Sequence, residues 1–77
     1  MFDHFAAGRE VSRLLAAEKY GSISEQVDDS LYCGIASEAV MGMRWHLSRF
    51  LEGKPQLHDH TRIAIDQLLN AIKVSPQ

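Results

Sequence analysis

The sequence predicts an all-α domain, and three observations predict it. Apolar residues recur at intervals of three and four along most of the chain, as they do on one face of a helix. No run alternates apolar and polar residues in the manner of a half-buried strand, and no Asn-Gly hairpin turn occurs. Ser, Asp, Gly and Pro fall where such helices would start and stop. The expected architecture is one small domain over residues 1–77 with three main helices. Helix 1 covers about 3–20, helix 2 about 29–52 and helix 3 about 56–73. Helices 2 and 3 form an antiparallel hairpin, and helix 1 packs across it.

Helix 1 begins at Asp3, whose carboxylate is the expected N-cap for the first turn. Gly21 is its expected stop, because Gly takes the left-handed conformation without penalty. Between them Ala7, Val11, Leu14 and Leu15 share a face, and Phe2 and Phe5 fall nearly opposite. Those two phenylalanines either tuck back onto the core or contact a second chain.

Two signals compete for the start of helix 2. Ser22-Ile23-Ser24-Glu25 fits a capping box and would start a helix near Ile23. Asp28-Asp29-Ser30 is a second start signal, with acids where the helix dipole favours them. Asp-Asp-Ser is poor helix interior, which favours the start near 29. Gly53 and Pro55 end the helix and open the next. Helix 3 begins at Pro55 or at Asp59, and it carries the cleanest stripe: Leu57, Thr61, Ala64, Ile65, Leu68, Leu69 and Ile72. Only Ile63 and Val74 sit off it.

Helix 2 is apolar on two sides. Tyr32, Cys33, Ala36, Ala39, Val40, Met43, Leu47, Phe50 and Leu51 form the expected core stripe. The far side carries Leu31, Ile35, Met41, Gly42 and Trp45, interrupted by Glu38 and Arg49, with Arg44 at the rim. Two other helices in so short a chain cover only one side. Interior Gly costs about 1 kcal/mol relative to Ala, so Gly34 and Gly42 mark close packing, within the hairpin or against another chain. Trp and Arg on an exposed apolar strip are typical interface anchors. The expected partner or dimer interface is therefore Leu31, Ile35, Gly42, Trp45 and Arg49, with Phe2 and Phe5 as secondary candidates.

Composition points the same way. A single core in a chain of 77 residues rarely supplies more than about 3–5 kcal/mol. One Cys excludes a disulfide within the chain and suits a reducing compartment, so a homodimer in the cytosol is expected. The start, Met1-Phe2-Asp3-His4-Phe5, has an acid where a signal peptide carries positive charge. No run approaches the roughly 20 apolar residues of a membrane span.

Candidate chemistry is sparse. His58 and His60 flank Asp59, but residues two apart on a helix point about 200° apart and cannot share an ion. Zinc would need further ligands, and His4, His46 and Cys33 lie at no recognisable ligand spacing. Cys33 sits on the expected core stripe, where a thiol behaves as a small hydrophobe. Arg9, Arg13, Arg44 and Arg49 could gather around an anion, but their spacing does not show it. No enzyme activity, metal or cofactor is expected. The expected function is protein–protein interaction, as a small regulator or inhibitor that binds a partner protein through an apolar helix face. The alternative is a dimeric helical DNA-binding regulator. Net charge is −2 with no basic block, and the last helix offers a mixed outer face of Arg62, Asp66, Gln67, Asn70 and Lys73, so nucleic acid is not favoured.

Overall fold

A computed structural model of the chain describes residues 3–32 and 36–73. Among the described residues there are four α-helices and no strand: α1 (His4–Ala17), α2 (Gly21–Leu31), α3 (Ala36–Glu52) and α4 (Asp59–Lys73). The all-α class holds, but the expected three helices become four. Phe2, Cys33, Gly34, Ile35 and Val74 lie outside the described residues.

Asp3 caps α1 as its sequence position implied. It is extended, and its Oδ1 accepts from the Ala6 amide at 3.0 Å. The stop is not at Gly21. The chain turns at Lys19, which is left-handed with φ 72°. The Tyr20 amide returns to Leu15 O at 2.9 Å and the Lys19 amide to Ala16 O at 3.1 Å. That pair of bonds satisfies the last carbonyls of the helix as a Schellman motif does, with Lys in the position Gly usually holds. A second lysine is left-handed after α3, where Lys54, not Gly53, has φ 52° and its amide bonds Leu51 O at 2.9 Å.

Gly21 instead opens α2, one residue after its N-cap Tyr20, and no side chain caps that end. The Ser22–Glu25 capping box is therefore unused. Asp28, Asp29 and Ser30 lie in the last turn of α2 rather than at a new start. Packing overrides their weak propensity. Ile23 and Val27 are buried and Leu31 is half-buried, a stripe at i, i+4 and i+8 that reaches the core only if the chain reverses after it. The Ser30 hydroxyl bonds back to Gln26 O at 3.0 Å. The helix ends at Tyr32, whose amide lies within hydrogen-bonding distance of both Asp28 O and Asp29 O. Tyr32, expected in the core, is 86 % exposed.

Each helix sends apolar residues inward: Val11 and Leu15, Ile23 and Val27, Met43 and Leu47, then Ile65, Leu68 and Ile72. Burying each such side chain is worth about 1.5–3 kcal/mol. The neighbours are α1 with α2, α2 with α3, α3 with α4, and α4 with α1, so the helices close a ring around that core. The extents are 32 × 21 × 21 Å. The closest helix pairs are α1–α2 and α2–α3, and α3–α4 is the loosest. The expected hairpin of the central and last helices is thus the loosest of these four neighbour contacts. Its connection, Gly53–His58, is anchored elsewhere: the Tyr20 hydroxyl donates to Gln56 O at 3.0 Å. The Tyr20 ring also stands edge-on to Phe50 at 5.1 Å. α4 starts at Asp59, not near 56.

Candidate interaction face

The inward stripe of α3 leaves an opposite side that is open among the described residues. Ala39, Met43 and Leu47 are fully buried. Three residues on the far side of the same helix are open: Met41 at 63 % exposure, Trp45 at 59 %, and Arg49. They are spaced four apart, so they form one ridge. The Arg49 guanidinium lies 5.0 Å from the centre of the Trp45 ring, a cation–π contact. Glu38 is exposed on the same ridge, one turn before Met41.

Beside the ridge runs an open groove of about 530 Å³ between the start of α2 and the second half of α3. Its apolar floor is Ile23, Phe50, Tyr20 and Trp45, and its edges carry Lys19, His46 and Arg49. The first amides of α2 face this end without a side-chain cap.

The structure brings together only part of the interface expected from sequence. Trp45 and Arg49, expected on one strip, lie on one exposed ridge and touch each other. Gly42 is turned toward α2: a Cβ built on it would lie 3.0 Å from Ser30 Cβ. Leu31 belongs to a different helix and is packed against the core beside Gly8. Phe5 is half-buried on α1. Ile35 and Phe2 lie outside the described residues. Met41, which the sequence placed on the second face without singling it out, is the most exposed apolar member of the ridge.

A second polar cluster was passed over in the sequence. Glu18, at the end of α1, has a side chain only 8 % exposed. Its Oε1 accepts from the His58 amide at 3.0 Å and lies 3.0 Å from His58 Nδ1. Its Oε2 and the hydroxyl of fully buried Thr61 are both enclosed without a hydrogen bond of standard geometry. The Thr61 hydroxyl beside it, then the His58 amide and imidazole, hold the Glu18 carboxyl below its usual range, against the opposing effect of burial. The cluster ties the start of α4 to the end of α1. Nothing local signals it, because Glu18 is enclosed by residues some 40 positions later. His58 precedes the helix, so its ring stacks on His60 at 5.6 Å instead of pointing away from it. Even so, no group of three or more His, Cys, Asp or Glu side chains among the described residues could hold a metal ion. No helix among the described residues is long and apolar enough to cross a membrane. Comparison of the chain with family models, curated proteins and solved structures found none that matches it.

Proposed function

We propose that the chain is a small protein–protein interaction module, a cytosolic regulator that works by presenting the outer ridge of α3 to another protein. The observation that supports this most is the pairing of Trp45 and Arg49. The largely exposed indole continues into a groove with Ile23, Tyr20 and Phe50 in its lining, and contiguous exposed apolar surface rimmed by polar residues marks docking sites. Trp and Arg are the residues most enriched among those that dominate binding energy. Their stacking adds a second argument. A side chain already held in one orientation loses less freedom when a partner covers it.

The test is site-specific photo-crosslinking. A photoreactive phenylalanine analogue replaces Trp45 in one variant and Ile63, an exposed apolar residue of α4, in another. Irradiation in the cells that make the protein should yield discrete protein adducts from position 45 and not from position 63. The proposal is overturned if position 45 gives no protein adduct, or gives the same adducts as position 63.

A further inference from the structure

We infer that the occupant of the α3 ridge is a second copy of this chain, paired antiparallel along α3 about a two-fold axis that passes between Met41 and Trp45. The inference rests on the reading of α3 as an interaction face and names its partner. Its basis is the order of four exposed residues, Glu38, Met41, Trp45 and Arg49. At 100° per residue they occupy a sector of about 80° directly opposite the buried Met43 and Leu47. Along the helix the ridge reads acid, apolar, apolar, base.

Turned end for end, a second copy reads base, apolar, apolar, acid. Antiparallel pairing therefore sets Glu38 against Arg49 of the second copy at both ends at once. Between the two ion pairs, Met41 and Trp45 of each chain meet the same two residues of the other. A two-fold interface of this kind requires a single self-complementary patch, and this ridge is one. Parallel pairing would set Glu on Glu and Arg on Arg, a like-charge juxtaposition that costs several kcal/mol at an interface.

The ends of the ridge are available for such pairing. The ion pairs among the described residues are Arg13–Glu10 and His58–Glu18, and neither uses Glu38 or Arg49. The contact of Arg49 with Trp45 takes none of its hydrogen bonds, and a guanidinium carries five N–H donors that can meet a carboxylate. A partner of another kind, such as an acidic segment drawn to Lys19, His46 and Arg49, would leave Glu38 facing nothing complementary. A second copy satisfies both ends.

Sedimentation equilibrium of the full chain tests this with a charge exchange. The wild-type mass should rise from 8.7 kDa toward twice that value between about 1 and about 100 µM. Glu38→Arg gives a ridge with two bases and Arg49→Glu a ridge with two acids, so each alone should associate at least ~10-fold more weakly. Mixed one to one, the two variants should pair with each other to within about threefold of wild-type affinity. That rescue also shows that both variants are folded. A wild-type chain that stays at 8.7 kDa, or a mixture no tighter than either variant alone, overturns the pairing. If the chain is monomeric and position 45 crosslinks to a different protein, the second copy is refuted and the interaction face stands. If it is monomeric and position 45 crosslinks to nothing, both fall.

Discussion

Ser12 of α1 and Ser24 of α2 bind each other across the helix pair. Their hydroxyls are 2.8 Å apart, Ser24 Oγ lies 3.0 Å from Ser12 O, and Ser12 Oγ lies 3.2 Å from Ser24 O. Each hydroxyl has one proton, so two of these three links are made at a time. Both residues are buried, and both are small enough to let two backbones come close. Ser12→Ala should cost about 0.5–1.5 kcal/mol, the usual net worth of a buried hydrogen bond. The double variant Ser12→Ala, Ser24→Ala should cost less than the sum of the two single changes, since removing both partners leaves no orphaned hydroxyl. Urea unfolding of the four proteins of that cycle checks it. Strict additivity would mean that the hydroxyls act independently.

The α2–α3 contact makes the same point with a glycine. A Cβ on Gly42 would press on the Cβ and Oγ of Ser30, which are fixed to the α2 backbone. A Cβ on Gly8 would meet Met43 Sδ at 2.7 Å and Leu31 Cδ2 at 3.1 Å, the far ends of flexible side chains. Gly42→Ala should therefore force the helices apart at about 1–3 kcal/mol, only partly offset by the roughly 1 kcal/mol that Ala gains over Gly in a helix. Gly8→Ala should be milder, because its neighbours can swing aside. In a Ser30→Gly background, Gly42→Ala should become stabilising. Thermal unfolding distinguishes these outcomes, at about 4–8 °C per kcal/mol for a domain of this size.

Much of the fold was legible in local pattern, and the failures share one cause. Ile65, Leu68 and Ile72 on α4 repeat at helical spacing, and all three are buried. Asp3 caps because its carboxylate needs only the next turn. The reversal between α2 and α3 was missed because the apolar residues from Leu31 to Leu51 keep helical spacing through it. A helix break costs the pattern nothing, and the need for it comes from α1, which must meet Ile23 and Val27. The same stripe, extended across the break, predicts Tyr32 in the core, and the break exposes it instead. The shared face of Trp45 and Arg49 is readable because both lie on one continuous helix. Glu18 is not, because its partners His58 and Thr61 arrive from the far end of the chain.

The two sides of α3 should separate stability from association. Leu47 is fully buried in the core, and Leu47→Ala should cost about 2–5 kcal/mol, close to the whole stability of so small a domain. Trp45→Ala removes a larger side chain from an exposed position and should shift stability by about 0.5 kcal/mol or less. Circular dichroism melts at low protein concentration, where association is negligible, give the comparison. A loss on Trp45→Ala as large as that on Leu47→Ala would mean that the ridge is part of the chain's own core.

Glu18 sets a pH dependence whose sign follows from its surroundings. Its folded-state pKa lies below the ordinary 4.5, first because of the Thr61 hydroxyl and then because of the His58 amide and imidazole. The unfolded chain therefore holds the Glu18 proton at pH values where the folded chain has released it. Stability from this group is present above about pH 4.5 and drains away as pH falls through the lower folded value. Glu18→Gln should be less stable than wild type at pH 7, and the two melting curves should converge below pH 4.5. Glu10, also lowered by its exposed pair with Arg13, is present in both proteins and cancels from the difference. Thr61→Val removes the largest cause and should raise the Glu18 pKa more than His58→Ala, which leaves the backbone amide in place. An NMR titration of the Glu18 carboxyl in the three proteins reads this directly. A larger rise in His58→Ala than in Thr61→Val would shift the anchor of the α1–α4 contact from the buried hydroxyl to the exposed imidazole.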